Sequence, residues 1–200
     1  MNPLSKAVLL AGAALLCAGA YAACSLTRAG YKAPSHVVRT RIGTLEIREY
    51  PALVLAQTPS KHSARGNDGS FMRLFRFIAK GNARQQAIPM TTPVLFRGVA
   101  EREAMAFVLP EGVPLQDTPE PIDAAVKLEA RDAGTFAVLR MKGGRAFVRG
   151  EGERAVRAAL EGSGWEPVGE PEFAFYDPPW IPRFLEKNEI QWRVRERGSH

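Results

Sequence analysis

Two hydrophobic periodicities alternate along this 200-residue chain in an order that occurs twice, and that order limits the folds open to it. From Thr44, "TLEIREYPALVLAQT" places Leu45 and Ile47, then Leu53, Val54 and Leu55, on a long strand with a bulge or bend at Tyr50-Pro51. "NDGSFMRLFRFIAKGN" reads as a helix: Asp68 or Asn67 can cap it, Gly81-Asn82 can end it, and Phe71, Leu74, Phe75 and Ile78 recur at i, i+3, i+4 and i+7 on one apolar face. Strands over 88–97 and 104–109 follow. Beyond the proline-rich stretch "PEGVPLQDTPEPID" come strands over 126–130 and 135–141, a helix over 150–161, the strand "PEFAFYD" and the strand "EIQWRV". The glycines of "KGGRAFVRGEG" read as a turn. No letter-for-letter repeat accompanies this order. Two β-α-β-β units joined near residue 115 predict an α+β domain: a curved, mostly antiparallel, distorted barrel-like sheet with two packed helices and a groove between the halves.

One stretch resists simple pairing. In "QQAIPMTTPVLF", Pro89 and Pro93 interrupt a strand-like run. Proline donates nothing to a β ladder, so the segment belongs at a sheet edge, a bulge or the rim of a cleft.

The first 24 residues are set apart by composition. Lys6 precedes "AVLLAGAALLCAGAYAAC", the length and character of an export signal with its cleavage region. Three outcomes stay open: a lipoprotein signal with Cys24 acylated, a cleaved signal releasing a periplasmic domain, or an uncleaved membrane anchor. Both cysteines, Cys17 and Cys24, lie here, so the rest of the chain has no internal disulfide and stands on packing. Residues 25–40, polar and basic without period, read as a tether; 41–196 form the domain.

The 27 basic and 21 acidic residues give a net charge of +6, which favours anionic partners, but no basic run, zinc-finger spacing or RNA-binding aromatic motif points to nucleic acid. No phosphate loop, nucleophile elbow or metal-binding histidine pair is present either. Of three histidines, His62 in "SKHSARG" is the one in a loop of the domain. The first helix carries a second pattern. Opposite its apolar stripe, Arg73, Arg76 and Lys80 cluster, with Phe77 on their flank and Met72 at the border. A basic helix face is most often only a solvated one.

The segments "REYPALVLAQT", "FMRLFRFIAKGN", "IPMTTPVLF", "FAFYDPPW" and "RFLEKNEIQW", in this order and over residues 40–196, strongly resemble the SOUL heme-binding family. The resemblance implies the duplicated β-α-β-β fold and places Pro89 and Pro93 in a sheet segment beside the first helix. It implies binding of heme or other tetrapyrroles in a groove between the first helix and the loop before the last strand. Arg73, Arg76 and Lys80, with Arg183 or Lys187, are then the cations for propionates. Met72, Phe77, Trp180, Ile181 and Phe184 are the apolar walls, and His62 is a candidate axial ligand to iron beside the softer donors Met72 and Met90. Glu189 reads as structural, and the register at Trp192 is unsettled because Gln191 is an extra residue in the motif. The fold also resembles the effector-binding domains of transcriptional regulators, which implies a general receptor for amphipathic small molecules. An enzyme using a perturbed Glu or Tyr50 is the third reading.

Overall fold

A computed structural model describes residues 30–60, 68–98, 103–143, 145–177, 181 and 186–198. Ten strands and two longer helices form an α+β fold: β1 (Val37–Ile42), β2 (Leu45–Tyr50), β3 (Leu53–Pro59), α1 (Ser70–Ile78), β4 (Val94–Arg97), β5 (Ala104–Val108), β6 (Lys127–Arg131), β7 (Gly134–Met141), α2 (Arg145–Leu160), β8 (Trp165–Pro167), β9 (Glu172–Phe175) and β10 (Asn188–Glu196). Among the described residues, a 3-10 turn, Leu115–Asp117, lies in the proline-rich stretch between the halves. No helix among the described residues is long and apolar enough to cross a membrane.

The sheet runs β1-β2-β7-β10-β9-β4-β5-β3-β6, with β8 added beside β10, and its strand pairings are antiparallel. Its connections force it to curl. β2 stands second in that order and β3 eighth, yet only residues 51–52 join them. A flat sheet would set these strands about 29 Å apart at roughly 4.8 Å per strand. Three Cα steps span at most about 11 Å. Residues 132–133 impose the same closure between β6, at the far end, and β7. The end strands β1 and β6 do not pair, so the sheet is a deep trough and not a barrel. The interruption at Tyr50-Pro51 is thus a crossing between sheet ends, a larger event than the bulge that the sequence suggests.

Both helices cover the convex side. Leu74, Phe77 and Ile78 of α1 and Val148, Val156 and Leu160 of α2 join Leu45, Ile47, Val54, Phe107, Ile190 and Trp192 in the main core. Strand alternation sends the intervening residues into the trough, where Leu53, Leu55, Leu95, Ala106, Val108 and Ala174 form one apolar wall and Tyr50, Phe136 and Val138 another. This alternation settles the register of the last strand: Trp192 is buried with Ile190 on the helix side, its Nε1 donating to the Gly169 carbonyl at 3.0 Å, while Glu189 and Gln191 face the trough.

Several boundaries differ from the sequence reading. Residues 88–93 are not strand; β4 begins at Val94, after Pro93. β4 is central, between β9 and β5, and this is why both prolines fall outside it. Residues 31–40 are not simply a tether: Val37–Ile42 pairs with β2, and Ser35 donates to Glu111 through its backbone N–H at 2.9 Å and its Oγ at 2.7 Å. An edge strand held chiefly by its backbone carries little apolar signal. α2 starts five residues earlier than expected and runs through the glycines at 150 and 152. A Cβ at Gly152 would lie 2.7 Å from Met141 Sδ and 3.3 Å from Ile190 Cγ2, so this glycine serves close helix–sheet approach and not a turn.

The end of α1 is built by its own sequence. Lys80, and not Gly81, takes the left-handed conformation (φ 84°), and the Gly81 N–H donates to the Arg76 carbonyl at 2.8 Å. A Cβ on Gly81 would stand 2.5 Å from that oxygen. Fully buried Asn82 then locks the turn, its Nδ2 donating to the Phe77 and Gln86 carbonyls at 3.1 and 2.7 Å while its Oδ1 accepts the Gln86 N–H at 3.1 Å. Gly81→Ala therefore destabilises the protein by about 1–3 kcal/mol. Urea unfolding of the two proteins measures this, and an unchanged midpoint would mean that the tight closure of α1 is dispensable.

Candidate functional sites on the two faces of the sheet

The α1 surface differs from its helical wheel. Phe77 is buried, 1% exposed, and belongs to the core rather than to a ligand-contacting flank. Phe71, Met72 and Phe75 are instead 39, 44 and 40% exposed. The cause is rotation of the buried stripe toward Ser70, Leu74, Phe77 and Ile78, because β3 and β5 receive the helix along that line. The Phe71 and Phe75 rings lie nearly parallel, 11° apart with centroids at 6.3 Å, and Phe71 meets Phe107 edge-on at 5.2 Å. Arg73 is already engaged: Nη1 donates to Thr58 Oγ1 at 3.1 Å and Nε stands 3.8 Å from Asp123. Arg76 and Lys80 are exposed and have no ion pair among the described residues. Met90 packs against the main core. Ile181 is buried, and Lys187 is exposed at the other site, described next. His62, Trp180, Arg183, Phe184 and Cys24 lie outside the described residues, and no metal-holding cluster occurs among those described. Among the described residues neither principal cavity is lined by α1, and its exposed side chains stand on an open ledge.

The second site lies in the trough. A cavity of about 190 Å³ is lined on its apolar side by Pro93, Leu95 and Val108, and on its polar side by Arg48, Arg131, Arg140, Lys187, Glu189 and the two tyrosines Tyr50 and Tyr176. Pro93 thus stands at the rim of a cleft, one of the three places open to it. At the floor, Arg48 and Glu189 form a buried two-pronged pair with Nη1–Oε2 at 3.2 Å and Nη2–Oε1 at 3.3 Å. Glu189 accepts further bonds from Tyr176 Oη at 2.8 Å, Arg140 Nη2 at 3.2 Å and Gln191 Nε2 at 3.4 Å. Arg48 also donates to Glu46 at 2.7 Å and to Tyr50 Oη at 3.1 Å.

Burial alone would raise the Glu189 pKa. The neighbouring Arg48 charge, the Tyr176 hydroxyl and Arg140 outweigh it and hold the carboxyl below its ordinary 4.5. Burial, followed by the Glu189 charge, pushes Tyr176 well up, keeping it a neutral donor. Arg131 has fewer compensations: burial lowers its pKa against the pull of Glu172, and its Nε finds no acceptor. Sequence reading named Glu189 as structural and Tyr50 as a candidate acid–base group but did not bring them together with Arg48, Arg131 and Tyr176, because polar residues at alternate strand positions (46, 48, 50; 189, 191) look like a solvated face. The signal was present in their kind: a tyrosine, an arginine and a glutamate on strands whose other face is mainly apolar, with Leu45 and Ile47 in β2 and Ile190, Trp192 and Val194 in β10.

The SOUL heme-binding protein model matches residues 31–193, and the chain belongs to that family. No curated protein sequence matches it. Among solved structures, EcmrR in its complex with DNA is similar with a TM-score of 0.57 and 13% identity, over 76% of this chain and 57% of that one; this chain therefore spans little more than half of EcmrR. The EcmrR C-terminal domain alone gives a TM-score of 0.52 at 14% identity over 76% and 97% of the chains. A hydrolase from Listeria innocua gives 0.57 at 10% identity over 76% and 92%. At such identities these likenesses show a shared fold.

The buried Glu189 also dictates a pH response. Its proton binds more weakly in the native than in the unfolded state, so the stability it confers is complete above about pH 4.5 and is lost as pH falls below that value toward the depressed native pKa. Glu189→Ala leaves Arg48 with Glu46 as its remaining carboxylate and costs about 3 kcal/mol at neutral pH. The gap between wild type and Glu189→Gln in unfolding free energy should narrow as pH drops below 4.5. A gap independent of pH there would contradict the pairing.

Proposed function

We propose that this protein binds heme or a related tetrapyrrole on the α1 ledge, as a carrier or buffer and not as an enzyme. The family supports the ligand class, since SOUL proteins are a heme-binding family. The observation that carries the site is the exposure of Phe71, Met72 and Phe75 on the helix that also bears Arg76 and Lys80. Large apolar side chains grouped in the open mark a surface that has a partner. Parallel aromatic faces suit a flat macrocycle, and adjacent guanidinium and ammonium groups suit its propionates. Bound heme would bring the redox and ligand-binding chemistry of its iron. The chain's part is to spread apolar surface beneath the ring, anchor its acid edge through Arg76 and Lys80, and offer the Met72 thioether as a soft donor. Arg73, tied to Thr58 and Asp123, holds the helix in place more than it reaches for a ligand.

Hemin added to the purified full chain should give a saturable Soret band. Arg76→Glu with Lys80→Glu should weaken binding about tenfold or more, as should Phe71→Ser with Phe75→Ser. Unchanged affinity in both double variants would remove the ledge as the site.

The reading extends to location. The apolar segment before Cys24 supports export to the periplasmic face of a bacterial membrane, with Cys24 as the acylated residue. Labelled palmitate should enter the wild-type chain and not Cys24→Ser. Equal labelling of the two, or labelling of neither, would leave a cleaved or uncleaved signal instead.

A further inference from the structure

The trough cavity lies on the sheet face opposite α1 and has a different chemistry. Its volume, about 190 Å³, falls below the roughly 300–1,000 Å³ of sites for drug-sized ligands, so it excludes a whole macrocycle. Among the described residues, Glu189 is the one acid in its lining, and both carboxylate oxygens are occupied by Arg48, Arg140, Tyr176 and Gln191. A cationic guest would have to break a buried ion pair to reach it.

The cations are less fully answered. Arg48, Arg131, Arg140 and Lys187 line the cavity against Glu189, with Glu46 and Glu172 just behind the wall, so one positive charge is in excess when His36 is left aside. Including Arg97 and its partner Glu129 leaves that excess unchanged. Arg131 is the most telling of these groups. It is only 6% exposed and lies over the Phe136 ring, 4.1 Å from its centroid; its Nη2 stands 2.9 Å from Glu172 Oε2 and 3.3 Å from Gln191 Oε1, and both its buried Nε and that Glu172 oxygen have no hydrogen-bond partner. A buried guanidinium whose donors are not all met, beside a partly apolar hollow, is suited to a further acceptor.

We propose that this cavity is a second binding site, for a small organic monocarboxylate whose acid group meets Arg131 with Arg140 and Lys187 and whose apolar body rests on Pro93, Leu95 and Val108. The planar fork of arginine suits a carboxylate, and the single excess charge suits a monoanion. Arg140 and Lys187 are exposed and guide the anion in; the Arg48–Glu189 pair is the fixed floor. The inference stands apart from the tetrapyrrole reading: apart from Lys187, which the family resemblance also offers to a propionate, the two sites share no residue.

Benzoate is the probe, with benzylammonium as its cationic counterpart of similar shape, each titrated calorimetrically into the full chain. Benzoate should bind saturably and benzylammonium should not. Arg131→Leu should weaken benzoate about tenfold or more, and so should Arg140→Gln with Lys187→Gln, exposed positions that keep the test valid if the buried substitution prevents folding. Hemin binding, followed by its Soret band, should be unchanged in Arg140→Gln, and benzoate binding unchanged in Arg76→Glu with Lys80→Glu. Benzylammonium binding as tightly as benzoate, absence of saturable benzoate binding, or full benzoate affinity in Arg140→Gln with Lys187→Gln would each overturn the proposal. Loss of hemin binding alone would instead count against the ledge.

Discussion

Two very short connections govern this architecture. Residues 51–52 and 132–133 each join strands from opposite parts of the same sheet, and neither can do so unless the sheet bends through most of a closed turn. The bend produces two unlike surfaces. The convex side must be covered, because strand alternation loads it with Leu45, Ile47, Val54, Phe107, Ile190 and Trp192, and α1 and α2 cover it. The concave side is too narrow for a helix. It must fill itself with side chains from its own walls, and these leave a hollow where Arg48, Arg131 and Glu189 meet.

That hollow explains why so much charge is buried without a second layer of protein. Taking Arg48 and Glu189 out of water is costly, and mutual attraction repays it only when the remaining donors and acceptors are also met. Glu46, Tyr50, Tyr176, Arg140 and Gln191 meet them. The network spans β2, β7, β9's outgoing end and β10, so it ties together the strands that the bend brings face to face. Replacing it with apolar residues could satisfy packing, but would remove the polar match that opposes two-residue slips, which leave the alternation of Ile190 and Trp192 unchanged. We read the pair as a register lock for the trough; pairing scrambled by apolar substitution, seen as loss of a single set of NMR resonances, is what that role requires.

The element order and fold class were legible because they rest on local periodicity: α1 from its spaced Leu74 and Ile78, the sheet from alternation in β2, β3, β5 and β7. The SOUL-like segments were equally legible, since several separated motifs agree. What was not legible depended on tertiary choice. The i, i+4 geometry of α1 allows either Phe75 or Phe77 to enter the core, and only the line along which β3 and β5 receive the helix decides for Phe77. Strand β1 was hidden because its stability comes from backbone pairing, and the glycines of α2 misled because glycine signals a turn locally but here serves approach to Met141. The trough cluster was missed because alternation reveals that Arg48, Tyr50, Glu189 and Gln191 share a face without revealing that the face folds inward.

The two faces divide recognition by shape. A macrocycle needs breadth, and breadth is available on a convex helical surface, where, in the binding mode we propose, stacking on Phe71 and Phe75 would contribute and the charged edge would remain near water. Its affinity then depends on apolar contact more than on burial of charge, since Arg76 and Lys80 keep most of their hydration. The trough offers the reverse: little space, but donors already stripped of water and held by β-sheet, so that a small anion gains from each bond more than it would at the surface. A curled sheet with helices on one side therefore does not have to choose between a large, weakly desolvated partner and a small, strongly desolvated one, because the bend that creates the hollow is the same one that turns the ledge outward.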